Sequence, residues 1–181
     1  THAGPSNLMY GPDNYVYGVV GYSGFDGEMN GKKMQFTQGP YRFKPDGTGF
    51  EYLTTSTNNT WGLGFNETGD VFGSTANGDP SWYLGIPNRY FDGVQGLPGP
   101  TGRGGASAGY QSLAQFTAVH YTTPYIRQVD NMGYYTAGAG HMFYTARQFP
   151  KEYWNRIAFV NEPTVHITGQ VVIESQGAGY V

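Results

Sequence analysis

The chain contains the same pattern of strand, tight turn and strand twice, at an offset of about 55 residues. The first copy spans residues 8–18 and the second spans residues 63–73, and both place Gly, Asp or Asn between two apolar runs, as tight turns require. Aromatic positions also correspond, because Tyr10 of the first copy matches Phe65 of the second. Such a repeat predicts a fold that is built from successive, similar sheets.

Two more hairpins are predicted, one between the copies and one after them. Residues 39–44 and 49–53 flank a turn and supply the outer two strands of the first sheet. Residues 156–160 and 165–174 form another pair of strands about a Gly-containing turn. Four-stranded units with a period of roughly 40 to 50 residues are typical of β-propeller blades. We therefore predict an all-β fold of about two to three four-stranded blades, part of a β-propeller, with a plain β-sandwich as the alternative.

The composition favours short strands and argues against several classes of function. The chain has 29 Gly and 16 Tyr in 181 residues and only 13% charged residues, which suits tight turns and strands better than long helices. A formal net charge of −3, with scattered Lys and Arg, predicts no nucleic-acid partner. No apolar run approaches the roughly 18 residues of a transmembrane helix, so no transmembrane segment is predicted. Because the chain has no Cys, disulfides, thiolate metal sites and covalently attached haem are excluded within it.

The blade pattern stops in the middle of the chain. Residues 1–85 are predicted to form blades, residues 86–139 an insertion between blades, and residues 140–181 a further blade. The insertion includes a glycine-rich loop at residues 96–109 that has no apolar periodicity. Such a loop covers the mouth of a propeller channel, contacts a partner or is a plain surface excursion, and the sequence leaves these alternatives open.

The run from Gly140 to His166 resembles a family of exported bacterial propeller proteins that are labelled membrane-bound dehydrogenases and are often fused to a haem-binding domain. Stretches similar to the same family lie at residues 4–8, 18–25, 41–47, 58–65 and 126–130. More distantly, residues 149–153 and the strand after them resemble the last blade of the soluble quinoprotein sugar dehydrogenases, so the resemblance implies a six-bladed propeller. The resemblance covers most of the chain outside the glycine-rich loop.

The resemblance implies an exported oxidoreductase, in the periplasm or outside the cell, that oxidises a sugar or alcohol. Its cofactors would be pyrroloquinoline quinone and calcium, and its electron acceptor would be a haem domain. The chain departs from the family in two respects, because it holds about half the blades of a full propeller and has no Cys-x-x-Cys-His haem site. These departures predict a partial or processed piece that is completed by other protein chains or by missing blades of the same protein.

Two histidines and one ion pair are the candidate catalytic groups. His141 follows a segment rich in Gly and Ala, and His166 stands at the start of a blade strand, so either could take a hydroxyl proton from the substrate. Arg127 and Asp130 could form an ion pair in the propeller channel. The alternatives are histidines that bond to neighbouring backbone and an ion pair that bridges blades.

The cofactor and metal candidates are single residues. Gly140 leaves room for a ligand to approach the backbone, and Trp61 could stack on a cofactor or carbohydrate ring or fill the space between blades. Asp13 and Glu162 are isolated acids that could contribute to a calcium site, since no loop of alternating Asp residues is present.

A second function stays open from the sequence. An incomplete propeller leaves sheet faces and edges unpaired, and such surfaces favour partner chains. The chain is then a non-catalytic binding or scaffold subunit of an extracytoplasmic complex.

Overall fold

The computed structural model describes residues 3–92, 94–96, 109–114 and 135–181. Within these ranges the chain is all-β, and its helices are single 3₁₀ turns at Asn88–Tyr90 and Lys151–Tyr153. The strands are short, from two residues to six. The predicted all-β class is therefore confirmed. No helix of the described ranges has the length and apolar character that crossing a membrane requires.

Six strands form the first blade and a hairpin that is inserted into it: β1 (Pro5–Tyr10), β2 (Val16–Val20), β3 (Phe25–Met29), β4 (Lys32–Phe36), β5 (Gly39–Phe43) and β6 (Glu51–Tyr52). The blade is an antiparallel sheet in the order β1-β2-β5-β6, so both predicted hairpins are present. β3 and β4 pair only with each other, through a turn at Asn30 and Gly31 with φ values of 52° and 74°. Positive φ at both central residues is the mark of a type I′ turn, in which Asn-Gly is strongly preferred.

Four strands form the second blade: β7 (Thr60–Phe65), β8 (Val71–Thr75), β9 (Ser81–Leu84) and β10 (Tyr110–Ala114). They pair in chain order as an antiparallel meander. β10 lies within residues 86–139, where the sequence pattern predicts an insertion, so this part of the segment belongs to a blade instead. Its apolar alternation is weak because Gln111 and Ser112 are both exposed at the edge of the sheet.

Three strands form the third blade, β11 (Ala139–Phe143), β12 (Ile157–Glu162) and β13 (Ile167–Val172), and a short hairpin follows, β14 (Ser175–Gln176) and β15 (Gly179–Tyr180). The predicted pair of strands after residue 156 is present, but the turn between them, residues 163–166, contains no Gly. His166 adopts the positive φ of 58° in that turn. Gly169 lies inside β13, opposite Val160.

The three blades stack face to face with the second blade in the middle. One core cluster joins the first and second blades and consists of Tyr17, Val19, Leu53, Leu63, Val71, Trp82 and Leu84. The other joins the second blade to the third and consists of Phe72, Tyr83, Phe143, Ala158 and Ile173. Consecutive residues such as Trp82 and Tyr83 therefore pack on opposite faces of one strand, as the two-residue period of a β-strand requires. Stacked blades of this kind are the arrangement that the repeat predicts.

The first strands of the second and third blades meet through their backbones. A Cβ atom on Gly64 would lie 2.0 Å from the carbonyl oxygen of His141, and one on Gly62 would lie 2.7 Å from that of Gly140. Backbone atoms inside a strand cannot move aside without disturbing its pairing. Glycine at these two positions therefore allows β7 and β11 to touch.

Candidate functional site

His141 is enclosed between the second and third blades and is only 1% exposed. Its Nε2 lies 2.9 Å from Oγ of Ser81, and its ring is parallel to that of Phe72, with an interplanar angle of 4° and centroids 6.0 Å apart. Burial lowers the pKa of His141 to about 3, so the imidazole is neutral near pH 7. Its role as a catalytic base stays a prediction, and the enclosure of the ring weighs against it.

The other candidate catalytic residues do not share this environment. His166 is exposed on the turn between β12 and β13, whereas His141 lies in the interface. Arg127 and Asp130 lie outside the described residues, so their ion pair stays a prediction. The described residues thus supply no histidine pair that faces a common cleft.

Glu162 is fully buried and is bonded to backbone amides. One carboxylate oxygen accepts hydrogen bonds from the N–H groups of Thr136 at 2.8 Å and Ala137 at 3.0 Å, and the other accepts one from the N–H of Thr164 at 2.9 Å. Hydrogen bonds to an ionised acceptor are stronger than those between neutral groups. Glu162 therefore fastens the segment before β11 to the end of β12.

Asp13 belongs to an ion-pair network along the first blade. Its Oδ2 lies 2.6 Å from a guanidinium nitrogen of Arg42 and accepts a hydrogen bond from the Tyr17 hydroxyl at 2.8 Å. Arg42 also pairs with Glu51 at 2.8 Å, and Glu51 pairs in turn with Arg89. Partial burial opposes the charge of Arg42, but hydrogen bonds to Tyr17 and Glu51 outweigh it and raise its pKa. Acidic and basic side chains alternate along this network, which links the turn after β1 to β5 and β6.

Both predicted calcium ligands, Asp13 and Glu162, interact with other groups of the protein. Calcium takes roughly 6 to 8 oxygen ligands. Asp13 is held by Arg42, and both oxygens of Glu162 are occupied by backbone N–H groups. Across the described ranges no group of three or more His, Cys, Asp or Glu side chains is placed to hold a metal ion. The pyrroloquinoline quinone and calcium that the resemblance implies therefore stay a prediction, and the described residues show no assembled calcium site.

Gly140 and Trp61 lie near the contact of β7 and β11. Gly140 has a φ of 73°, and a Cβ atom there would meet no other described atom within 4 Å. Trp61 is half-buried, and its carbonyl accepts a hydrogen bond from the Asn7 side chain at 2.7 Å. A cleft of about 230 Å³ opens at this place, lined in part by Asn7, Leu63 and Gly140. The open backbone at Gly140 is thus present, while its use by a cofactor stays a prediction.

Asp79 is a buried acid that the sequence analysis missed. It is 9% exposed, and its carboxylate accepts hydrogen bonds from Thr57 at 2.5 Å, from Ser112 at 2.6 Å and from the Tyr110 hydroxyl. Burial and the neighbouring carboxylate raise the pKa of Tyr110, so its phenol remains a donor. The cluster fastens β10 to the turn between β8 and β9, a contact between distant segments that no local sequence pattern reveals.

A cleft of about 530 Å³ lies between the β3–β4 hairpin and the first blade, and we call it the hairpin cleft. Its walls include the rings of Phe25, Phe36 and Tyr52 and the polar side chains of Thr37, Thr55 and Asn88. The hairpin packs on the blade through stacked rings, because Phe36 lies parallel to Tyr52 with centroids 4.4 Å apart. The sequence signal that points to this cleft is the Asn30-Gly31 turn, which lies outside both copies of the repeat.

Comparison with families of known sequences gives one finding about the whole chain. The family model described as "Domain of unknown function (DUF7133)" matches residues 1–181. No curated protein and no solved structure matches the chain.

Proposed function

We propose, from the premise that this chain belongs to the DUF7133 domain family, that it is a non-catalytic propeller segment, a binding or scaffold unit whose outer blade faces pack against further blades. One observation supports the proposal. The second blade is covered on both faces, whereas the first and third blades each turn apolar side chains outward. A propeller blade buries its faces against neighbouring blades and cannot do so alone.

The outward face of the first blade is marked by two large side chains of β1. Leu8 is 62% exposed and Tyr10 is 71% exposed, whereas Met9 between them packs against the core of the first and second blades. Because alternate residues of a strand point to opposite faces, Leu8 and Tyr10 are turned away from that core, and Leu8 borders the cleft beside Gly140. The β3–β4 hairpin covers another part of this face through Phe36 and Tyr52, whereas Leu8 and Tyr10 stay exposed as apolar surface of the kind that a further sheet would cover.

The outward face of the third blade is built in the same way. Phe143 and Ala158 pack against the second blade, so the paired residues Met142 and Phe159 face away from it. Met142 is 54% exposed, and Val172 on β13 is 51% exposed. Both outer blades thus leave apolar side chains uncovered, and Leu8 and Met142 border the same cleft beside Gly140.

Photo-cross-linking in the intact protein, made in its own host, tests the proposal. Benzoylphenylalanine at position 10 or 142 is expected to capture strand segments outside residues 1–181, either in the same protein or in a partner chain. The same probe at Val94, which is 46% exposed in a loop, is the control and is expected to capture no such segment. Capture from neither face would contradict the proposal.

A second proposal is that the chain oxidises a sugar or alcohol with a quinone cofactor. It would do so in an exported protein that passes electrons to a haem domain. This proposal is favoured by the resemblance of residues 140–166 and by the cleft beside Gly140. His141 lines this cleft and stays the candidate base, although it is only 1% exposed. Dye reduction by the intact protein with pyrroloquinoline quinone, calcium and a panel of aldoses separates the two proposals. The scaffold proposal predicts no turnover, and turnover that depends on the quinone would refute its non-catalytic character.

A further inference from the structure

We propose that the hairpin cleft is a binding site for a neutral carbohydrate. The cleft has a volume of about 530 Å³, within the range of roughly 300 to 1,000 Å³ that small-molecule sites occupy in proteins. It combines aromatic rings with polar uncharged side chains, and a sugar ring likewise combines C–H faces with hydroxyl groups. The proposal concerns a different part of the chain from the outer blade faces and does not depend on them.

The apolar wall of the cleft is a set of nearly parallel rings. Phe25 stacks on Phe36 with centroids 5.3 Å apart and an interplanar angle of 22°. Phe36 stacks in turn on Tyr52 at 4.4 Å and 17°. Tyr22, at the same cleft, is 57% exposed, so its ring is accessible to a ligand. Because Phe36 is stacked on its neighbours, the exposed ring of Tyr22 is the flat surface that suits the C–H face of a pyranose ring.

The polar wall of the cleft includes an amide with unused hydrogen-bonding capacity. Asn88 lines the cleft and is 8% exposed, and its Oδ1 is buried with no hydrogen-bond partner in the part of the chain that the structure describes. Buried polar atoms of native proteins almost always have a partner. A half-turn of the carboxamide exchanges its oxygen and nitrogen, so a ligand hydroxyl at this wall can meet an acceptor or a donor. A ligand with hydroxyl groups would therefore supply the hydrogen-bond partner that Asn88 Oδ1 lacks.

The charges of the cleft point to a neutral ligand. Asp26 is the one charged residue among those that line it, within the described ranges, and no Lys or Arg is among them. Sites for phosphate or carboxylate groups use Arg or Lys, which supply charge-assisted hydrogen bonds. An anionic ligand would meet the Asp26 carboxylate without a compensating cation.

A neighbouring groove shows why the ligand is assigned to the hairpin cleft. The groove has a volume of about 370 Å³ and shares the rings of Phe25 and Phe36, but its other walls are apolar residues such as Val20, Met29 and Phe43. A sugar placed there would lose the hydrogen bonds of its hydroxyl groups to water without replacement. The hairpin cleft, which supplies Thr37, Thr55 and Asn88, replaces them.

Calorimetric titration of the intact protein tests the site with three soluble probes: maltohexaose and cellohexaose, which are neutral, and trigalacturonate, which is anionic. At least one neutral probe is expected to bind with a dissociation constant of about 1 mM or lower, and the anionic probe is not. Tyr22→Ala is expected to weaken that binding about fivefold, because it removes an exposed stacking surface without opening the core. Phe149→Ala is the matched control, since Phe149 is an exposed aromatic residue outside the cleft, and it is expected to leave the affinity unchanged.

Three results would overturn the proposal: no heat from either neutral probe up to about 10 mM, equal weakening by Tyr22→Ala and Phe149→Ala, or tighter binding of trigalacturonate. Asn88→Leu, which keeps the side-chain size but removes the amide, adds a second check and is expected to weaken binding at least as much as Tyr22→Ala. Its circular dichroism spectrum shows whether the variant is folded. Photo-cross-linking from positions 10 and 142 is independent of these results, so failure of the carbohydrate site and failure of the scaffold proposal are distinguishable.

Discussion

The second blade differs from its two neighbours in how completely its central strands are buried. Every residue of β8 and β9 is buried, whereas the central strands β2 and β5 of the first blade and β12 of the third include half-buried or exposed residues. All three blades are antiparallel sheets of short strands. The difference therefore arises from position in the stack, because a blade in the middle has a neighbour on each face. The difference is what the proposal of further blades beyond the outer two predicts.

The largest expected effect in this comparison comes from the middle blade. Trp82→Ala is expected to lower the free energy of unfolding by about 3 to 5 kcal/mol, because the indole is 0% exposed in the core of the first and second blades. Urea denaturation followed by tryptophan and tyrosine fluorescence measures the change. A loss below about 1 kcal/mol would contradict the packing described for this interface.

Close backbone contact between the second and third blades gives the next prediction. Gly64→Ala is expected to cost about 3 kcal/mol, since its methyl group would lie 2.0 Å from the His141 carbonyl oxygen and overpacking against backbone has little relief. Gly85→Ala is the matched control, because the nearest atom to its methyl group lies at 3.6 Å. Equal unfolding midpoints for the two variants would show that β7 and β11 do not touch.

His141 makes the stability of the same interface depend on pH. Its folded-state pKa, about 3, lies below the ordinary value of 6.5, so the unfolded chain takes up a proton first as the pH falls. The contribution of His141 to the free energy of unfolding is therefore largest above about pH 6.5 and declines as the pH falls toward 3. It decreases by about 2 kcal/mol between pH 7 and pH 5.

A comparison of variants isolates this contribution. The difference in unfolding free energy between the unmodified chain and His141→Gln should shrink by that amount from pH 7 to pH 5. Phe143→Leu serves as the control, since Phe143 is buried in the same interface and does not titrate, and its difference should stay constant. A pH-independent difference for His141→Gln would mean that the imidazole is accessible to protons in the folded chain.

The smallest expected effect comes from the outward face of the first blade. Leu8→Ser should change the unfolding free energy of this chain, prepared alone, by less than about 0.5 kcal/mol, because Leu8 is 62% exposed. In the intact protein the same substitution should cost about 2 kcal/mol or more if a further blade covers Leu8. Thermal denaturation of the chain alone and of the intact protein measures the two effects of Leu8→Ser. Equal effects would mean that no further blade covers Leu8.

Local patterns sufficed for the parts of the fold that are formed by neighbours in sequence. The hairpins at residues 8–18, 39–53 and 63–73 are marked by turn residues between apolar runs, and all of them are present. The β3–β4 hairpin was also readable, from Asn30-Gly31, but it does not belong to the repeat. β10 was not readable, because its pairing with β9 depends on a long connection and its exposed residues hide the alternation.

The candidate site was harder to predict because burial is a property of the assembled blades. His141 follows small residues, which suggests an open backbone, yet the stacking of Phe72 encloses its ring. Glu162 belongs to a residue type that binds metal ions, but its carboxylate accepts hydrogen bonds from backbone N–H groups of a different segment. Asn88 carried no signal at all, since only the position of the hairpin gives it a cleft to line.

Chemical labelling of the intact protein measures whether further blades cover the outward faces. The chain has no Cys, so single cysteines at Tyr10, Met142 and Val94 can be labelled with a maleimide without background from residues 1–181. We expect positions 10 and 142 to react at least tenfold more slowly in the intact protein than in this chain prepared alone, while position 94 reacts equally in both. Equal rates at all three positions would show that no further blade covers these faces.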